Sequence, residues 1–138
     1  MQTFLPYPNF AGSARVLDRQ RLGKQRVEVL QLLNALTGKS AGWRNHPAAK
    51  MWAGHEDILA EYGIACCEEW KRRGYVDTCG DKISNIRIAL PRVDLPHWLG
   101  DQAFHRSHQS NLLRKDFWHY REFKWDVPDN LPYVWPTP

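Results

Sequence analysis

The chain has 138 residues, enough for one domain that buries roughly two-thirds of its unfolded surface. Apolar residues make up 43% and charged residues 25%, which excludes a disordered chain, and no apolar run is long enough to cross a membrane. The net charge of +4 is unevenly spread: residues 1–50 hold eight basic and two acidic residues, a net +6, and the rest carries −2. Such asymmetry points to a polyanionic partner, nucleic acid above all.

Residues 1–12 contain Pro6, Pro8, Asn9 and Gly12 and read as an ordered loop. Ser13 can cap a first helix that runs to about Leu36, where Thr37-Gly38 stops it. Leu22, Val29, Leu33 and Leu36 share one face at helical spacing. Residues 38–47 (GKSAGWRNHP) form a loop. A second helix, in one or two segments, covers Ala48 to Arg73 and ends at Gly74; Gly54 and Gly63 weaken its continuity. Its stripe of Ile58, Leu59, Tyr62, Ala65, Cys66, Glu69 and Trp70 is mostly apolar. Residues 74–100 read as short pieces between prolines, and a third helix spans Asp101 to Lys115. The tail from Asp116 carries Trp118, Tyr120, Trp125, Tyr133 and Trp135 among prolines, too irregular for helix and expected to wrap the domain. With no alternating strand pattern and no repeat, the expected class is all-α. The chain reads as a single compact domain over 1–138, with three main helices, long loops and an aromatic, proline-rich C-terminal tail.

The start MQTFLPYPNF lacks the basic head and apolar centre of a secretory leader, so the three cysteines are expected as reduced thiols in a cytoplasmic, nucleoid-associated protein. His105 and His108 have H-x-x-H spacing, but the adjacent Cys66-Cys67 lacks the separation of a zinc site. No metal, cofactor or membrane association is expected, and the chain is expected to be a monomer.

The first helix carries the most informative cluster. At 100° per residue, Arg21, Lys24 and Gln31 lie within about 60° of Glu28, and the apolar centre near Val29 and Leu33 lies 100–140° away by the same rule, about a third of a turn. One reading of Lys24 and Glu28 is an i, i+4 pair worth a few tenths of a kcal/mol. The other is a general acid/base or electrostatic stabiliser at a DNA-facing site, since a carboxylate in a cationic stripe repels phosphates and needs a reason to be there.

The segment LDRQRLGKQRVEVLQLL (Leu17–Leu33) resembles the first helix of the phage-type pyrimidine dimer DNA glycosylases, the endonuclease V repair family. Gln20, Arg21 and Glu28 match that helix's polar, basic and catalytic acidic positions. ILAEYGIACCEEWKRRGYVDT (Ile58–Thr78) resembles the family's long helix, GWRNHP (Gly42–Pro47) a motif of bacterial relatives, and SHQSNLL (Ser107–Leu113) the start of the third helix, with His108 on a matching histidine. The aromatic end with Tyr133 and Trp135 is similar to the family's C-terminus. The resemblance implies a DNA glycosylase with AP lyase activity acting on double-stranded DNA with damaged or modified bases, such as ultraviolet-type pyrimidine dimers. It implies an N-terminal α-amine nucleophile and an essential glutamate, here Met1 and Glu28. Gln2 is bulky enough to leave Met1 in place, which departs from the phage pattern of a small second residue.

The chemistry favours a chain terminus. An α-amine, with a reference pKa near 8, is roughly a tenth neutral at pH 7, whereas a solvated lysine is neutral to about 0.04%. Lys24 is the fallback imine-forming residue. Candidate DNA contacts are Gln20, Arg21, Lys24, Arg44, His46, Arg106 and His108, with Arg114 as a further phosphate contact. Trp43, His46, Tyr133 and Trp135 are candidates to stack on or wedge beside bases. Two alternatives remain open at this point: a glycosylase for another modified base on the same fold, and a non-catalytic DNA-binding module.

Overall fold

The computed structural model describes residues 1–137. It is all-helical: seven α-helices and one 3-10 turn, with no strand among the described residues. The three expected helices are each present, but the first two are broken and two short ones are added.

The first break is at Leu17-Asp18. Helix α1 (Phe10–Val16) is capped by Asn9, whose Oδ1 accepts the Gly12 N–H at 2.6 Å. Ser13 is therefore inside α1 rather than at its start, and its hydroxyl donates to the Tyr7 carbonyl and accepts the Tyr7 N–H. Leu17 turns extended and Asp18 caps helix α2 (Arg19–Leu36). Periodicity hid this break because α1 is only seven residues long, too short to show a face of its own, and the stripe of Leu22, Val29, Leu33 and Leu36 lies wholly in α2.

The second helix divides as its glycines allow. Helix α3 (Pro47–Trp52) begins with His46 as N-cap and Pro47 at its first position. Gly54, at φ +85°, sits in the left-handed region that ends a helix, and α4 (Glu56–Arg72) follows. Gly63 does not interrupt α4. A Cβ there would lie 2.5 Å from Val29 Cγ1, so the glycine is where α2 crosses α4 closely. Val29, Leu22, Leu32 and Leu33 are buried at that crossing with Leu59, Tyr62 and Cys66. Each such aliphatic side chain contributes about 1.5–3 kcal/mol by leaving water.

Helix α5 (Gly80–Ile88) lies in the stretch expected to hold only short pieces. Asp77 starts it by accepting the N–H groups of Cys79 and Gly80, and it also pairs with Arg26 at 2.6 Å. Burial alone would raise the Asp77 carboxyl; Arg26 and the two N–H donors outweigh this and hold it low. Arg26 also stacks on Trp70, 4.4 Å from the ring centroid, so it seals the α2–α4 seam away from Glu28.

Helix α6 (Gln102–Lys115) is capped by Asp101. The tail then departs from the expectation of an irregular wrap. Asp116 caps a single turn, α7 (Phe117–Tyr120), and a 3-10 turn over Arg121–Phe123 follows. Only after Lys124 does the chain run extended along α6. Ser110 and Ser107 accept the N–H groups of Leu131 and Val134, and Asn111 donates to the Leu131 carbonyl. Local capping by Asp116 outweighs the aromatic composition for one turn.

Candidate active site

The N-terminal arm is the least regular segment and the most tightly held. Residues 2–5 are buried and run between helices with no strand beside them. A buried backbone needs partners for its polar groups. Here side chains supply them. Glu28 Oε2 accepts the Gln2 N–H at 3.2 Å. Gln25 donates to the Gln2 carbonyl at 2.6 Å and accepts the Phe4 N–H at 2.8 Å. The Tyr62 hydroxyl lies 2.6 Å from both the Phe4 carbonyl and Gln25 Oε1, with one hydrogen to share. Burial pushes that phenol well above its usual range, so it remains a donor. Trp52 Nε1 donates to Thr3 Oγ1, and His108 and His105 hold the Leu5 N–H and carbonyl.

This lacing delivers Met1 to a cleft of about 370 Å³ lined by Met1, Gln2, Phe4, Gln20, Arg21, Lys24, Glu28, Lys115 and Tyr133. Successive backbone nitrogens are at most about 3.7 Å apart, so the Met1 amine lies within about 7 Å of Glu28 Oε2. Burial pushes the Tyr133 phenol up to about 12, so it lines the cleft as a neutral hydroxyl. Asp18 accepts from the Arg21 guanidinium at 3.1 Å and from the Tyr120 hydroxyl, which orients Arg21 at the cleft rim. Burial would raise the Asp18 carboxyl, but these hydrogen bonds outweigh it and keep it charged at neutral pH.

Of the residues singled out by sequence, Met1, Gln20, Arg21, Lys24 and Glu28 share this cleft. His46 lies outside the cleft lining, at the N-terminus of α3. Its Nδ1 accepts the Ala48 N–H at 3.0 Å, and its ring meets Trp43 and Trp135 edge-on. Burial and the N-terminal ammonium lower the His46 pKa, with Glu28 opposing them. Arg44 is exposed on the loop before α3. Arg106 and Arg114 are exposed on α6, outside the cleft, and each donates one N–H to the tail, to the Asp126 and Asp129 carbonyls. His108 is 0% exposed and cannot touch a duplex in this conformation, which corrects its placement among the DNA contacts. Gln25, Tyr62 and His105 were missed as site-building residues. Gln25 is a lone amide at the edge of the apolar face of α2, and that misfit was the available signal.

A groove lined by Arg19, Gln20, Gly23, Lys24, Val27, Glu28, Gln31 and Trp70 lies on the other side of the same helix face, so Glu28 and Lys24 form a ridge between two depressions. A cationic rim with one carboxylate at the mouth of a buried arm suits attack at a sugar beside phosphates.

No curated protein and no solved structure matches the chain. A family model described as pyrimidine dimer DNA glycosylase matches residues 1–83, more than half of the chain, including the arm, α2, α3 and α4. On that match the chain belongs to the pyrimidine dimer DNA glycosylase family, and its substrate is DNA.

Proposed function

We propose that the protein excises damaged pyrimidines, ultraviolet-type dimers first, and nicks the strand as an AP lyase. The Met1 α-amine is the nucleophile in this reaction. Neutral amine attacks C1′, the N-glycosidic bond breaks, and the departing base takes the electron pair and a proton. Opening of the sugar leaves an imine between Met1 and C1′. Loss of a C2′ proton then expels the 3′ phosphate, and water releases the amine. Glu28 stabilises the cationic sugar and imine and relays protons; Arg21, Lys24 and Lys115 hold the flanking phosphates.

The observation that supports this most is the shared cleft: Met1 and a single carboxylate, Glu28, line it together with Arg21, Lys24 and Lys115. A module that only held phosphates would be better served by a neutral acceptor for the Gln2 N–H, since a carboxylate there repels them. The test is borohydride trapping on an oligonucleotide panel carrying a cis-syn thymine dimer, an abasic site, uracil or a hydroxymethylated base. The expected result is a covalent adduct on Met1 with dimer and abasic DNA. An adduct on Lys24, or none at any pH, would overturn the terminal-amine mechanism; cleavage confined to another base would reassign the lesion.

A further inference from the structure

We propose that His105 and His108 are positioning residues, a two-histidine clamp on the Leu5 peptide that sets where the nucleophilic amine reaches. This rests on the terminal-amine reading above. His108 Nδ1 accepts the Leu5 N–H at 2.9 Å, and His105 Nδ1 lies 2.8 Å from the Leu5 carbonyl. Both polar atoms of one peptide residue are thus held by side chains one turn apart on α6. The tautomers follow from the partners. His105 Nε2 accepts the Gly100 N–H at 2.9 Å, so its proton is on Nδ1, where it donates to Leu5. His108 accepts at Nδ1, so its proton is on Nε2. Each ring works only as the neutral form, and both are buried, at 5% and 0% exposure.

The geometry links this clamp to the chemistry. Leu5 is four residues from the amine, a reach of roughly 13 Å for an extended chain. Releasing the root loosens the arm that carries the amine, and a misplacement of about 1 Å at a reacting atom can cost about a hundredfold. Gln25 and Tyr62 hold the middle of the arm and Glu28 its end; the histidines hold the root. His108 also meets the ring of Tyr133, a lining residue of the cleft, edge-on at 5.5 Å. Its Nε2 is buried without a partner. A core-filling residue has no reason to carry that orphan donor; a Leu5 acceptor fixed against the cleft wall does.

The test compares His108→Leu, which keeps bulk but loses the acceptor, with His108→Asn, whose amide oxygen can replace Nδ1. Three quantities are read: the single-turnover trapping rate on abasic DNA, the Kd for that DNA, and the rate at which an aminopeptidase removes Met1 from the free protein. For His108→Leu, trapping should slow about tenfold or more. Its Kd should stay within about twofold, since phosphate contacts are untouched. Trimming should rise about fivefold or more as the arm opens locally. His108→Asn should recover most of both changes. Trapping at the wild-type rate in His108→Leu, equal impairment of the two variants, or unchanged trimming would each overturn the clamp. Where His108→Leu does not fold, His105→Leu against His105→Asn makes the same comparison. Failure of the wild type to trap at all would sink the terminal-amine mechanism, while the trimming comparison would still decide the clamp.

Discussion

Replacing Glu28 with Gln separates charge from shape. The amide oxygen can still accept the Gln2 N–H that Glu28 Oε2 accepts at 3.2 Å, so the arm should stay seated. What is lost is one negative charge. In the proposed mechanism the amine, and the cationic carbon or imine it would form, lies about 4 to 7 Å from the carboxylate, and at an effective dielectric near 20 the lost attraction is about 2–4 kcal/mol. That converts to a rate loss of about thirty- to a thousandfold. DNA affinity should hold or tighten, because a charge that repels phosphate has gone. The assay is single-turnover base release from a duplex with one cis-syn thymine dimer, with fluorescence anisotropy for affinity and urea unfolding for stability. A rate within about fivefold of wild type would refute the electrostatic role. A stability loss above about 2 kcal/mol would instead mean that the carboxylate chiefly holds the arm.

The arm and the helix crossing make their own predictions. Gln25→Ala orphans the buried Phe4 N–H and Gln2 carbonyl, so urea unfolding should show a loss of about 2–5 kcal/mol; a loss under about 1 would mean that water replaces the amide at no cost. Gly63→Ala places a methyl 2.5 Å from Val29 Cγ1 and 3.1 Å from Ile83 Cδ1, so stability should drop by about 1–3 kcal/mol, and an unchanged Tm would contradict the close crossing. Burial pushes the His108 imidazole down to about 3 and also lowers His105, against the opposing charge of Asp101. Both fold in the neutral form, so their contribution is complete above the unfolded value near 6.5 and is lost as pH falls below it, by about 1.4 kcal/mol per pH unit for each proton taken up. Urea midpoints measured from pH 7 to pH 5 should therefore fall, and His108→Asn should flatten the slope by about one proton's worth; equal slopes would show that His108 is not held neutral.

Periodicity alone separates the faces of the first long helix, and its 100° steps place Arg21, Lys24 and Glu28 together because those relations are local and repeat every turn. Cationic asymmetry and the Leu17–Leu33 segment likewise point to DNA before any coordinates. Local rules also placed the end of the second helix at Gly74. They failed where a non-local partner decides. The break before Asp18 is reinforced by Tyr120, 102 residues away, whose hydroxyl accepts the Asp18 N–H at 3.0 Å. His108 reads as a DNA-contact candidate until Leu5, 103 residues distant, claims its ring. That Arg106 and Arg114 also tie the tail to α6, through the Asp126 and Asp129 carbonyls, no local rule could show. Gln25 looks misplaced until the arm is laid against it. The sequence by itself thus determined which residues share a helix face and carry charge. Only the tertiary structure decided which polar groups meet, because an extended arm without a sheet must find its hydrogen-bond partners on side chains far away in the chain.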